Sequence, residues 1–562
     1  MPRANRARAS TLPRRSFLAA AGLLAAGAAL EAYGPDQLHV FPPWARTGQD
    51  TSPPLAVATD GALQLVAAPD VVDLGGRSAR TWTFNGSLPG PELRVRAGQL
   101  MRVDFNNRLP SPTSIHWHGI AIRNDMDGVP GFTQRAIAPG AGFLYEFTVP
   151  DPGTYFFHPH AGVQLDRGLY GVLIVEDPAD PGRYDREAVV VLDDWTDGIR
   201  ETPNRILARL KANGMEHAGM PGMDHSMAGM DHDMAGMDHE MAGMPDQAKP
   251  ATPLGDDPGD IRYPLYLVNG RQARSPATLS ARPGDRVRLR IVNAAADTAF
   301  RLALGGHRLT VTHADGYPVH PVTGDALLLA MGERYDAIVR VQDGVFPLVA
   351  VAEGKAAQGL AVIRTNRGTA PRATANPKEL RRRLLTVHDL QATPDVDLGP
   401  VAPQRSHRLV LDGNMSTYRW TINGHTMHGG APLKVRLGER VRLVFENRST
   451  MFHPMHLHGH TFQVRRTGDR VPGPRKDTVI VRPTERVVVD FDAGQPRPLD
   501  APLPQRLPRG WGDDDRARLR ALTVPPACRL AAPGKRTGPV GAGGGEGGQQ
   551  GGGQDLRNLV RV

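Results

Sequence analysis

Histidine gathers in three short stretches of this 562-residue sequence. Ser-Ile-His-Trp-His-Gly-Ile carries His116 and His118, and Gly-Thr-Tyr-Phe-Phe-His-Pro-His carries His158 and His160. Met-Phe-His-Pro-Met-His-Leu-His-Gly-His carries His453, His456, His458 and His460. Residues i and i+2 of an extended strand share a face. Each His-x-His pair therefore sets two imidazoles side by side, as a multinuclear metal site needs. One pair could belong to a core or a surface, but three in one chain point to metal. His307, His313 and His320 stand alone mid-chain and read as structural or surface residues.

A second stretch, residues 215–244, holds nine Met and four His among Gly, Ala and Asp. They are Met215, His217, Met220, Met223, His225, Met227, Met230, His232, Met234, Met237, His239, Met241 and Met244. Thioether sulfur is soft and suits Cu(I), while imidazole holds either oxidation state of copper. A plain linker is built from Ser and Gly and has no reason to repeat Met so regularly. The Gly density opposes a stable helix. This accessory copper-binding segment is expected to lack fixed structure without metal.

The elements that must position the histidines are strands. The run FNGSLPGPELRVRAGQLMRVDFNNRL from Phe84 is echoed from Val268 and again from Ile422. Each copy has an Asn-Gly turn, an alternating strand, a Gly turn and a second alternating strand ending at Asn. Three copies predict three homologous β-sandwich domains, near 55–178, 185–370 and 380–496, the second carrying the Met/His insertion. High Gly and Pro contents (63 and 50 residues) among short strands agree with an all-β protein.

The two ends differ from the body. Arg14 and Arg15 precede Phe17 and an Ala/Leu-rich run too short to span a bilayer. Residues 1–35 therefore resemble a twin-arginine export signal. That implies export of the folded chain by the twin-arginine machinery to the periplasm, cell envelope or exterior. No other segment is apolar enough for a membrane span. The formal charge of +9 sits at the ends: five Arg and no acid in the first thirty residues, eleven basic against six acidic from Arg497 onward. The body has no basic stripe, which argues against a nucleic-acid partner. Cys528 is the single cysteine, so no intrachain disulfide framework exists.

The histidine motifs, in this order, resemble those of the multicopper oxidases, specifically the three-domain, laccase-like, twin-arginine-exported group linked to copper resistance. The resemblance runs from the signal to about Pro496. It implies three cupredoxin-like Greek-key β-sandwiches with copper as cofactor. Carried over position by position, His116 and His456 match the type 2 copper ligands. His118, His158, His160 and His458 match four of the six type 3 ligands. His453 matches the first ligand of the blue, type 1 copper. His460 matches the trailing histidine, which is not a ligand in the family, and Trp117 reads as packing.

The family's last motif, His-Cys-His-x-x-x-His-x-x-x-x-Met, is missing. It would supply two more type 3 histidines and the Cys, second His and axial Met of the blue site. No His follows His460, and Cys528 has no His neighbour. In the first domain His158 and His160 stand six and eight residues after Pro152; the same interval after Pro496 falls on Pro502 and Pro504, with Leu503 between. A one-base frame shift near Pro496 would permit Leu-His-Cys-His, a later His and a Met at the family's spacing, with third bases chosen freely. The third domain is then truncated, and residues 497–562 are an out-of-frame, disordered tail. The shift could lie in the gene or in its sequencing.

Two functions follow from the resemblance. The first is a copper-dependent oxidase for copper tolerance. It would couple one-electron oxidation of Cu(I) or phenolic substrates to four-electron reduction of O2 to water, impaired here by the lost Cys. The second is a non-catalytic protein that sequesters copper. A two-domain nitrite reductase is disfavoured by the three repeats.

Overall fold

A computed structural model describes residues 61–494, apart from 181, 215–251, 256, 415–417, 427–432 and 466–471, together with Leu522–Thr523. The export signal at 1–35, the Met/His segment at 215–244 and the rest of the 497–562 tail, with Pro502, Leu503, Pro504 and Cys528, lie outside the described residues.

The fold is all-β, and its strands follow the alternation in the sequence. Along Leu100–Asn107, Met101, Val103, Phe105 and Asn107 are buried, while Arg102, Asp104 and Asn106 between them are partly exposed. The first domain is a sandwich of two sheets. One runs Ser78–Phe84, Leu63–Asp73, Leu100–Asn107, Gly142–Thr148; the other runs Leu93–Arg96, Gly171–Glu176, Gly153–His158, His116–His118. Leu65, Val103, Phe105, Trp117, Tyr145 and Phe157 fill the space between them. The second domain packs a seven-stranded sheet on a six-stranded one, and the third a six-stranded sheet on a three-stranded one.

Two asparagines recur in every domain, and the structure explains both. Asn85, Asn269 and Asn423 have φ of 53°, 50° and 51°, each followed by a glycine that also has positive φ. This is the two-residue turn that demands the left-handed region twice, hence Asn-Gly. Their Oδ1 atoms accept the amides of Val66, Val191 and Val410 at 2.6, 2.7 and 2.8 Å, tying each turn to its neighbouring strand. The second set, Asn107, Asn293 and Asn447, ends the second strand of each repeat and is buried. In each, Nδ2 donates to two backbone carbonyls and Oδ1 accepts an amide two residues on. The carbonyls are Ser111 and Ile137, Thr298 and Leu329, and Met451 and Val481. The amides are Leu109, Ala295 and Ser449. This knot fixes the chain just before the histidine strands His116–His118 and His453–Leu457.

In the first domain His116 lies opposite His158 in an antiparallel pair. In the third, His453–Leu457 pairs on one side with Thr478–Val481 and on the other with Leu522–Thr523. His456 there lies opposite Thr523. The register of this chain thus sets Thr523 where the first domain has His158.

One helix, Pro203–Asn213, precedes the Met/His segment. Pro203 sits in its first turn, where its missing N–H costs nothing. Ile206 and Leu210, one turn apart, bury against Tyr418. Among the described residues, no helix is long and apolar enough to cross a membrane.

Candidate metal centre

Six of the predicted histidines converge between the first and third domains. His116, His118, His158, His160, His456 and His458 are each at most 5% exposed, although His116 and His456 lie 340 residues apart in sequence. The His116 ring centroid is 4.1 Å from that of His458 and 5.5 Å from that of His456. His118 stacks on His456 at 3.8 Å, and His160 meets His458 at 5.0 Å. Ring nitrogens of His116, His456 and His458 lie within 4.8 Å of one another, as do those of His116, His118 and His158.

His453 stands apart from the six. It is three residues before His456 on one strand, and an odd interval puts the two on opposite faces. Its Nε2 meets the Ser449 hydroxyl at 2.7 Å, and its ring lies 5.3 Å from that of Trp420. His460 packs beside Phe491, 5.6 Å between centroids. Trp117 packs among Tyr145, Phe147 and Phe157. In the second domain His307 is structural, bridging the Gly305 carbonyl and the Gln342 amide.

The hydrogen bonds to the ring nitrogens set the tautomers. His116 Nδ1 donates to the Asp127 carbonyl at 2.8 Å, and His456 Nδ1 donates to the Asp477 carbonyl at 2.9 Å. A carbonyl only accepts, so both rings carry their proton on Nδ1 and leave Nε2 as a lone pair. Both Nε2 atoms are buried without a hydrogen-bond partner. Two buried acceptors without a protein partner are costly, and a cation between them would relieve that cost.

His118 is anchored the other way round. The Thr478 hydroxyl donates to Asp477 Oδ1 at 2.8 Å and so accepts from His118 Nε2 at 3.0 Å. That leaves His118 Nδ1 as the lone pair, 3.3 Å from His158 Nε2. His158 in turn donates its Nδ1 proton to the Pro159 carbonyl at 3.0 Å. Two lone pairs thus face each other across 3.3 Å. That is about the spacing of two nitrogens on one tetrahedral ion with bonds of about 2.0 Å. Neutral imidazoles suit copper, and the residues present fit it.

Two aspartates hold the cluster across the domain boundary. Asp127 of the first domain takes its own domain's His116 on its carbonyl and the third domain's His458 on Oδ2 at 3.0 Å. Asp477 of the third domain mirrors this, with His456 on its carbonyl and the first domain's His118 3.3 Å from Oδ1. Burial would raise the Asp127 carboxyl, but His458 and His116 hold it well below the usual range. Burial would also raise Asp477; Arg334, His118 and His456 bring it far down. Burial pushes the His118, His453, His456 and His458 imidazoles down, His453 to about 4 and His458 to about 3. Gly119, with φ of 86°, has no room for a side chain, because a Cβ would run into the Asp477 carboxylate and the Arg334 guanidinium. That accounts for the glycine after His-x-His. Nothing in the spacing of the sequence marks Asp127, Asp477 or Arg334, since their partners are brought in by folding.

Cupredoxin-like sandwiches with a buried imidazole cluster between first and last define a class of copper protein. Multicopper oxidase family profiles match the chain over residues 66–180, 186–368 and 400–498. The chain belongs to the multicopper oxidases, copper-binding oxidoreductases that use O2. It is 46% identical to the multicopper oxidase MmcO of Mycobacterium tuberculosis, over 77% of this chain and 82% of that protein. It is 29% identical to copper resistance protein A of Escherichia coli, over 72% and 84% respectively. Among solved structures it resembles a multicopper oxidase from Pseudomonas thermotolerans, with a TM-score of 0.54 and 26% identity, over 77% of this chain and 92% of that one.

Proposed function

We propose that this chain is a copper-tolerance oxidase whose substrates are Cu(I) or phenols and whose electron acceptor is O2. The observation that carries the site is the set of orphaned, inward-facing lone pairs on His116 and His456 beside the facing pair on His118 and His158. In this reading His116 and His456 hold type 2 copper, and His118, His158, His160 and His458 give four type 3 ligands. His453, on the far face of the same strand, is the first ligand of the blue site. Copper bound there supplies one-electron steps and binds O2. The protein's own contribution is to bury the imidazoles and fix their tautomers.

Cu(I) as substrate or cargo is supported by where the Met/His segment leaves the fold. The helix Pro203–Asn213 before it packs on Tyr418, whose ring is 6.5 Å from Trp420, the neighbour of His453. After it, Asp257 forms a parallel β-bridge with Met451, two residues before His453. The described residues on either side of the segment thus pack against the stretch of the third domain that surrounds His453. Arg14-Arg15 and the apolar run after it support twin-arginine export to the periplasm or envelope.

A second reading, copper sequestration without turnover, is favoured by the absence of any Cys flanked by His. Such a chain lacks the thiolate route for electrons and two type 3 ligands. We read residues 497–562 as the product of a displaced frame. Resequencing the codons for Gln495–Asp515 tests this, and codons unable to give His-Cys-His in another frame would end it. To separate the two functions, the purified chain is loaded with copper and its absorption near about 600 nm is measured, where copper–thiolate bonds absorb. Bound copper without that band leaves the sequestering role; an intense band with oxygen consumption establishes the oxidase.

A further inference from the structure

Arg334 begins the strand Arg334–Arg340 of the second domain, the domain with no histidine in the cluster. Its side chain is fully buried. A guanidinium has five N–H donors in a fixed fork, and all five are used. Nε donates to the Thr154 carbonyl at 3.1 Å, in the first-domain strand that ends at His158. Nη1 donates to Asp477 Oδ1 at 2.7 Å and to the Gly332 carbonyl at 3.1 Å. Nη2 donates to Asp477 Oδ2 at 2.6 Å and to the Asp315 carbonyl at 3.2 Å. One side chain therefore joins all three domains, and its bidentate grip falls on the aspartate whose carbonyl orients His456.

We propose that Arg334 is a positioning residue for the copper site, acting through Asp477 on His456 and His118. The chain of contacts is short. The fork fixes the plane of the Asp477 carboxylate. Oδ1 of that carboxylate accepts the Thr478 hydroxyl at 2.8 Å, which turns the hydroxyl lone pair toward His118 Nε2. The same residue's carbonyl accepts from His456 Nδ1 at 2.9 Å. The peptide between Asp477 and Thr478 is held from the second domain as well. Asp315 Oδ2 accepts the amides of both at 3.2 and 3.1 Å. Without the fork, the buried Asp477 carboxylate loses its bidentate anchor and keeps only the Thr478 hydroxyl and the two imidazoles around Oδ1, so the setting of both copper-facing rings is loosened. A lysine could keep the charge but not the bidentate geometry. The Gly119 backbone lies against both groups, so the clamp cannot shift toward the first domain.

The proposal rests on the six histidines being the copper site. Its test uses the full chain loaded with Cu(II), read by electron paramagnetic resonance and by competition for copper. Spectra are taken as differences against the His116→Ala/His456→Ala chain, which removes the signal of copper held elsewhere. Arg334→Leu and Asp477→Asn are expected to weaken copper binding about ten-fold or more and to change the copper hyperfine splitting, with Arg334→Lys intermediate. Lys355→Met is the control. It breaks another buried ion pair, Lys355 Nζ to Asp297 Oδ2 at 2.7 Å, that touches none of the six histidines. It should lower the unfolding midpoint and leave the spectrum unchanged. The proposal is overturned if folded Arg334→Leu and Asp477→Asn both keep affinity within about two-fold with an unchanged spectrum. It is also overturned if Lys355→Met shifts the spectrum as much, or if neither cluster variant folds while Lys355→Met does, since Arg334 is then only a strut. A native chain that takes no Cu(II) onto its histidines would refute the metal-site reading instead.

Discussion

Replacing Asn447 by Ala removes the knot that sets up the histidine strand of the third domain. Three backbone groups lose a bond, the carbonyls of Met451 and Val481 and the amide of Ser449, and of these the Met451 carbonyl keeps the Ser449 hydroxyl at 3.0 Å. Asn447 is only 3% exposed, so little water can replace it. Each buried group left unsatisfied costs about 1–3 kcal/mol. With partial relaxation the sum over the other two groups is about 2–4 kcal/mol, a large share of the roughly 5–15 kcal/mol that holds a protein folded. Urea unfolding of the copper-free chain, followed by near-ultraviolet circular dichroism, measures it. The same substitution at Asn107 or Asn293 removes the same three bonds in the other domains and should cost a similar amount. Copper affinity separates them. Asn447→Ala and Asn107→Ala loosen chain that leads into the cluster and should weaken copper binding. Asn293→Ala should destabilise without doing so. A cost below about 1 kcal/mol at all three positions would refute the reasoning, because the carbonyls would then have found other partners.

Gly119→Ala should fold poorly or lose copper affinity more than Gly61→Ala, since the Cβ at 119 meets Asp477 and Arg334 while the space at 61 is open; parallel copper titrations compare them. His453→Ala should leave copper on the six-histidine cluster intact, whereas His116→Ala should remove it, as metal counting on the folded variants will show. Acid should destabilise the copper-free chain. Burial holds His453 at about 4 and His458 at about 3, below their unfolded values near 6.5, so the unfolded state takes up more protons as pH falls from about 6.5 toward 4. Stability is full above about 6.5, and for His453 alone the loss by pH 4 is about 3 kcal/mol. Urea midpoints at several pH values test this; a flat profile would contradict it.

What could be read from sequence was local. The Asn-Gly turns were legible because positive φ at two successive residues leaves few other choices. The paired imidazoles were legible because i and i+2 share a strand face. Even the separation of His453 from His456 follows from their odd spacing. What could not be read was what lies around the imidazoles. Asp127 reaches His458 across 331 residues, and Arg334 reaches Asp477 across 143. No periodicity marks such contacts, which exist only once three sandwiches have packed. The asparagine ending each repeat was visible as a strand end, but its three hydrogen bonds were not. The missing last motif was legible as an absence. Spacing alone set Pro502 and Pro504 in its place, while strand register sets Thr523 opposite His456.

The central claim is that copper sits among histidines contributed by the first and third domains. Crystals of the copper-loaded chain, measured with X-rays on either side of the copper absorption edge, locate the metal directly. Anomalous peaks are predicted beside Nε2 of His116 and His456 and between His118 Nδ1 and His158 Nε2. Copper confined to the Met/His segment, with these four histidines bare, would contradict the account.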